Sequence, residues 1–188
     1  MVVLALPRGG VPVGFEVASA LSAPFDVLVV RKLGVPGYPE LAMGAIATGG
    51  ACVLSRDLIA RLAISPEALG AVIARETAEL QRREEVYRGE RPLHALAGRT
   101  VILVDDGLAT GSTMRAAAEA VRQLGAGRIV AAVPVAAPES LGPLGRVADN
   151  CVCVTIPPEF RSVGQFYADF APTSDDEVRS LLAAGTDR

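Results

Sequence analysis

Val101-Ile102-Leu103-Val104-Asp105-Asp106-Gly107-Leu108-Ala109-Thr110-Gly111-Ser112-Thr113 is the stretch whose reading decides the fold. Its four leading apolar residues show no alternation, the pattern of a strand covered on both faces of a parallel sheet. Asp105 and Asp106 mark the C-terminal end of that strand. Beyond Gly107, a loop containing Ala109, Thr110, Gly111, Ser112 and Thr113 feeds a helix-forming run from Met114 to Leu124. Such a loop offers backbone N–H groups, hydroxyls and the positive end of a helix dipole to a phosphate monoester. Carboxylates accept hydrogen bonds only, so the two acids suit vicinal ribose hydroxyls or the hydration shell of Mg²⁺. The two halves together describe a ribose 5-phosphate site. A plain strand end and helix cap would need only one such side chain.

Along its whole length the stretch resembles the phosphoribosyl pyrophosphate (PRPP) binding motif of type I phosphoribosyltransferases: four apolar residues, two acids, then a small-residue turn rich in Thr and Gly. The resemblance implies that Ala109 to Thr113 hold the 5-phosphate and that Asp105 and Asp106 meet the ribose hydroxyls or, through water or PRPP, Mg²⁺ as cofactor. It implies transfer of ribose 5-phosphate to a nitrogenous base with release of pyrophosphate. Receiver domains that accept phosphate also carry two acids at a strand end, but there the pair closes the first strand. The other alternative is a PRPP- or nucleotide-sensing module that keeps the site without transfer. In the hypoxanthine enzymes of the family an acid precedes the motif's Thr and serves as base; here Ala109 stands in that place, as in the adenine enzymes. Glu40 and Asp169 are the remaining candidates for a base.

Upstream, Met1 to Leu6 reads as a strand, Pro7-Arg8-Gly9-Gly10 as a loop of little side-chain bulk, and the following segment as a helix with Pro12 in its first turn. Two glycines after an Arg bring backbone N–H groups and a guanidinium onto an anion. In the family this looks like the pyrophosphate loop, with Arg8 carrying the charge. Phe25 to Val30 reads as a second buried strand delivering Arg31 and Lys32 at its C-terminal end, the edge where open α/β sheets bind ligands. That pair resembles the pyrophosphate-contacting segment of adenine and orotate phosphoribosyltransferases. Arg8, Lys32, Asp105 and Asp106 thus make up the expected catalytic set. Leu33 to Glu40, with two Pro and two Gly, reads as a mobile loop, and Gly49-Gly50 as the turn of a hairpin joining Met43–Thr48 to Ala51–Leu54. Arg56 to Leu62 reads as a short helix.

Ser65-Pro66-Glu67 starts a helix that runs to Arg88 and stops at Gly89. Glu76 and Arg83 fall on its otherwise apolar stripe; Glu79 pairs with Arg83 at helical spacing, or Arg83, Tyr87 or Arg88 reaches over bound PRPP. His94 has no acid or Ser partner nearby in sequence and reads as structural. Arg128 to Val135 is a further strand, Pro138 to Val147 a helix, and Cys151 to Ile156 the last core strand. Four of the chain's eight Phe and Tyr residues fall between Phe160 and Phe170. There Phe166 and Tyr167 suit stacking on a planar base, with Gln165 and Asp169 at its edge; packing against the core is the other reading. Ser174 to Glu177 has capping-box spacing and opens a final helix to Ala184.

The fold class expected is α/β, a mainly parallel five-stranded sheet flanked by helices, with an antiparallel flap and a small C-terminal hood. Residues 1–188 form a single domain: a core of 1–62 and 95–156, a helical insert at 63–94, and the hood and C-terminal helix at 157–188. Because Met1 already heads a core strand, a trimmed or late start is expected that omits a covering helix. With Lys+Arg 18 against Asp+Glu 21, the acidic balance disfavours nucleic acid as a partner. No apolar run approaches the ~20 residues of a membrane span. Cys52, Cys151 and Cys153 read as strand-buried free thiols in a reducing compartment. A cytoplasmic location, PRPP and a small-molecule base as partners, and a homodimer complete the expectations.

Overall fold

The computed structural model describes residues 1–89 and 91–186. The chain runs β1 (Val2–Ala5), α1 (Gly10–Leu21), β2 (Phe25–Val27), β3 (Val30–Val35), β4 (Tyr38–Ala47), β5 (Ala51–Leu54), α2 (Arg56–Arg61) and α3 (Pro66–Arg88). It continues through β6 (Thr100–Val104), α4 (Ser112–Gln123), β7 (Arg128–Val135), α5 (Pro138–Leu144), β8 (Asn150–Thr155) and, after a single 3-10 turn at Val163–Phe166, α6 (Asp175–Thr186). Within the described residues five parallel strands form one sheet in the order β2-β1-β6-β7-β8. A separate antiparallel sheet takes the order β3-β4-β5.

The run read as a doubly covered strand, Val101–Val104, lies beside the opening strand at the centre of the parallel sheet, with Val2 opposite Val101 and Ala5 opposite Val104. Period-two geometry divides their side chains between two cores. Val2, Leu4, Val101 and Leu103 pack under Met114, Ala117 and Val121 of α4 and Leu144 of α5. Val3, Ala5, Ile102 and Val104 pack on the other face under Val11 and Ala18 of α1, Leu80 and Tyr87 of α3, and Val178 and Leu182 of α6. Each Val, Leu, Ile or Met among them, fully removed from water, contributes roughly 1.5–3 kcal/mol.

From β1 the chain crosses through α1 to β2 on one side; from β6 it crosses through α4 to β7 on the other. The C-terminal ends of β1 and β6 therefore open a crevice where the strand order reverses, the place at which such sheets bind ligands.

Three expectations are corrected. The second strand ends at Val27 rather than Val30, because Thr48 captures the backbone that would have extended it: Val29 N–H donates to Thr48 Oγ1 at 3.0 Å and Thr48 N–H to Val29 O at 3.0 Å. Arg31 and Lys32 consequently stand on β3 of the small sheet, not at the edge of the large one. The segment 33–40 is a β3–β4 hairpin rather than a loop, since Leu33 and Val35 are buried on the face that meets α3. None of the three cysteines is buried: Cys151 is exposed and Cys52 and Cys153 are half-buried, because β5 and β8 are edge strands of their sheets. All three cysteines are free. Smaller differences lie at helix ends, with α4 starting at Ser112 and α5 ending at Leu144. The Gly49-Gly50 turn and the Ser65 cap stand where expected; both glycines have φ above +80°, a region open to them without strain, and Ser65 Oγ accepts from Ala68 N–H at 3.2 Å.

The end of α3 is anchored by charge. Arg88 Nη2 lies 2.9 Å from Asp26 Oδ2, with both side chains nearly excluded from water. Burial raises the Asp26 carboxyl above its ordinary value, with Arg88 opposing. Replacing Arg88 with Met leaves the Asp26 charge buried without its ion-pair partner, an expected cost of about 3 kcal/mol. Asp26 then takes a proton more readily folded than unfolded, so the deficit is largest at neutral pH and shrinks as pH falls through its folded-state value. Urea unfolding of the wild type and Arg88→Met at several pH values checks both the size and the trend.

Candidate active site

The Pro7–Gly9 turn at the end of β1 sits directly on the acids at the end of β6. An ideal Cβ on Gly9 would fall 2.0 Å from Asp106 Oδ2, and one on Gly10 2.7 Å from Val104 O and 2.8 Å from Asp105 Cα. No side chain fits at either position while the acids stay in place. Sequence reasoning assigns these glycines to ligand approach; the structure adds that the approach of loop to carboxylates itself demands them. The Pro7–Arg8 peptide is cis.

Asp105 is the deeper of the two acids. Its Oδ1 accepts the Asp106 N–H at 2.9 Å. Burial first, then the Asp106 carboxylate, pushes the Asp105 carboxyl far above the ordinary range. Burial raises Asp106 as well. Two desolvated carboxylates side by side form a site that favours a proton, a cation or hydroxyl donors. Among the described residues no group of three or more His, Cys, Asp or Glu gathers to hold a metal ion. A Mg²⁺ here would rely on these acids, water and the oxygens of a bound phosphate, the ligand set this ion commonly takes.

The loop between the acids and α4 is pinned to the sheet by Leu108, whose N–H donates to Val135 O at 2.9 Å and whose C=O accepts from Ala137 N–H at 2.8 Å. Thr110 Oγ1 accepts from Ser112 N–H at 3.3 Å and donates to Ser112 Oγ at 3.1 Å. Thr113 and Met114 follow in the first turn of α4, whose N–H groups have no carbonyl of their own helix to bond. Lys32 Nζ reaches Ser112 Oγ at 3.5 Å. The small sheet thus carries an ammonium to the first residue of α4 although the two partners are 80 residues apart in the chain.

Arg31, next to Lys32 on β3, faces the other way. Its Nε and Nη2 donate to Glu76 Oε2 at 3.0 and 2.6 Å. Glu76 is buried on α3; burial works to raise its carboxyl, but hydrogen bonds from Arg31 and Arg75 prevail and lower it. The acid on the apolar stripe therefore ties α3 to the small sheet, and the structure does not bring Arg31 together with Lys32. Nor does it bring α3 arginines over the crevice: Arg83 pairs with Glu79 at 2.8 Å, and Arg88 points to Asp26. Tyr87 Oη donates to Asp175 Oδ1 at 2.8 Å, and that oxygen lies 3.6 Å from Arg8 Nη1.

The C-terminal segment folds back over the strand ends. Tyr167 Oη donates to Asp106 O at 2.6 Å; burial and the nearby Asp106 and Asp105 carboxylates push the phenol up to about 12. Val163 side-chain carbons occupy the space beside Gly107. Phe166 stacks on Phe160 with ring centroids 5.9 Å apart, and Tyr167 meets Phe170 at 5.1 Å. Gln165 braces its own loop, accepting from Arg161 and Ser162 N–H and donating to Glu159 O. Asp169 Oδ1 accepts from Ala171 N–H. Both candidates for reading a base edge thus have local partners, and Glu40 is exposed on β4. The contacts of Tyr167 and Asp175 escape sequence reasoning because no spacing rule links them to the motif.

The family model described as the phosphoribosyl transferase domain matches residues 1–171. A protein of Mycobacterium tuberculosis named provisionally as a phosphoribosyl transferase is 49% identical over 182 residues, covering 97% of this chain. The chain spans only 41% of that relative's length. A ribose-phosphate pyrophosphokinase of Methanopyrus kandleri is 34% identical over 145 residues, 65% of this chain and 49% of that protein. Among solved structures, the protein TT1426 from Thermus thermophilus superposes with a TM-score of 0.89 at 44% identity, covering 97% of this chain and 86% of that one.

The half-buried, crowded acids carry a stability cost. Asn at position 105 keeps an oxygen for the Asp106 N–H and removes a carboxyl whose folded-state pKa is raised. Wild-type stability falls as pH rises from the ordinary carboxyl value through the raised one, whereas Asp105→Asn escapes the loss. The variant is expected to be more stable than wild type at pH 8 by on the order of 1–2 kcal/mol, with the gap closing toward pH 4. Thermal melts of ligand-free protein across that range check it.

Proposed function

Because the chain belongs to the phosphoribosyl transferase domain family, we propose that it transfers ribose 5-phosphate from PRPP, taken with Mg²⁺, to the nitrogen of a base and releases pyrophosphate. The observation that carries this reading is the juxtaposition of a desolvated acid pair with the Arg8-Gly9-Gly10 turn on one side and a Lys32-tethered phosphate loop on the other. A 5-phosphate fits the first turn of α4, held by Ala109, Thr110, Gly111, Ser112 and Thr113. The ribose hydroxyls then donate to Asp105 and Asp106. Pyrophosphate falls to Arg8, the Gly9 and Gly10 backbone and Lys32, while Arg31, tied to Glu76, holds β3 in place.

In the reaction the bond from the anomeric carbon to the pyrophosphate oxygen breaks as a bond from the base nitrogen forms. Positive charge builds on the ribose ring and negative charge on the departing diphosphate. Asp105 and Asp106 stand where they stabilise the first, and Arg8 and Lys32 where they stabilise the second, so catalysis rests on positioning and electrostatics. Mg²⁺ bound with the substrate would supply further neutralisation of the diphosphate. Tyr167, whose hydroxyl is bonded to the Asp106 main-chain carbonyl, and Phe166 offer faces for a base, with Asp169 at the same loop.

Calorimetric titration of PRPP with Mg²⁺ tests the reading. Wild type is expected to bind, and Asp105→Asn/Asp106→Asn to lose at least about 100-fold in affinity, the equivalent of about 2.7 kcal/mol. Pyrophosphate release is then assayed against a panel of bases. Tight binding with no release from any base identifies a sensing module instead, and absence of PRPP binding by the wild type refutes the reading.

A further inference from the structure

Asp175 stands at the first position of α6, outside the 1–171 span of the family match, yet its carboxylate lies beside the Arg8 turn. One oxygen serves two partners: Oδ1 accepts from Tyr87 Oη at 2.8 Å and lies 3.6 Å from Arg8 Nη1. Tyr87 is buried in the core beneath α1, α3 and α6, so it fixes the carboxylate from behind. Arg8 and Asp175 are 46% and 47% exposed, so the front of the arrangement is open to an arriving ligand. The start of α6 favours the charged carboxylate through the helix dipole. A second anchor holds that helix end, because Ser174 Oγ accepts the Glu177 N–H at 3.1 Å.

An arginine side chain has many rotamers, and holding it before a ligand arrives removes part of the entropic cost of binding. Contact through Nη1 occupies one corner of the guanidinium and leaves the donors of Nε and Nη2 for a diphosphate. We propose that Tyr87 and Asp175 are positioning residues for Arg8, a buried phenol holding the carboxylate that in turn sets the guanidinium at the pyrophosphate end of the crevice. The proposal rests on the reading of Arg8 as a pyrophosphate ligand.

The test uses calorimetry with three ligands, each with Mg²⁺: pyrophosphate, PRPP and ribose 5-phosphate. Tyr87→Phe keeps the ring in the core and removes only the hydroxyl; Asp175→Asn removes the charge. Pyrophosphate and PRPP are expected to bind about threefold more weakly to Tyr87→Phe and about tenfold more weakly to Asp175→Asn, with ribose 5-phosphate unchanged. In an Arg8→Ala background neither substitution should have any further effect, the signature of residues acting through one another. Equal weakening of ribose 5-phosphate would reveal a merely structural role. Unchanged or tighter pyrophosphate binding in Asp175→Asn, or an undiminished effect without Arg8, overturns the proposal and leaves the function intact. If Arg8→Ala itself binds pyrophosphate as wild type does, the reading of Arg8 fails and the positioning role fails with it.

Discussion

The contact of the Arg8-Gly9-Gly10 turn with Asp105 and Asp106 is the constraint on which the site depends. It exists because β1 and β6 are neighbours in a parallel sheet whose crossovers leave on opposite faces. The two strand ends then face one crevice, and only residues without a side chain let one turn rest against the other's carboxylates. The alternating inward residues of both strands supply the two cores that keep this register in place. A site assembled from two strand ends is more rigid than one built on free loops, which suits chemistry that depends on position.

Charge is distributed around that contact in a consistent way. The acids that would meet ligand are desolvated and crowd one another, so their carboxyls rise. Three acids in the α3 region are matched: Glu76 by Arg31 and Arg75, Glu79 by Arg82 and Arg83, Asp26 by Arg88. Two of these pairs, Arg31–Glu76 and Arg88–Asp26, fasten α3 to the small sheet and to β2; the others lie within the helix. The crowded pair stores an electrostatic demand that a cation or hydroxyl donors would relieve, a local instability of the kind functional sites retain.

The stretch from Val101 to Thr113 made the central strand, the acids at its end and the loop leading into α4 legible, because all three depend on residues adjacent in the chain. The Gly49-Gly50 turn and the Ser65 cap were legible for the same reason. The strand after Phe25 was misjudged because its end is decided by Thr48, nineteen residues beyond Val29, whose hydrogen bonds it takes. The loop reading of 33–40 failed because Pro and Gly outweighed the period-two burial of Leu33 and Val35, which acquires meaning only once α3 lies against them. Gln165 looked like a base reader in composition alone; in the folded chain its amide is spent on the backbone of its own turn.

By itself the sequence determined the α/β alternation, the strand that ends in the two acids and the small-residue loop leading from it into a helix, since local propensity and hydrophobic period act over a few residues. Tertiary structure alone decided that Arg31 turns to Glu76 while Lys32 reaches Ser112, that Tyr167 closes over Asp106, and that Asp175 meets Arg8. These pairings span 45, 80, 61 and 167 residues, as counted from their residue numbers. Contacts of that reach are set by which faces the packed cores bring together, and no spacing in the chain encodes them.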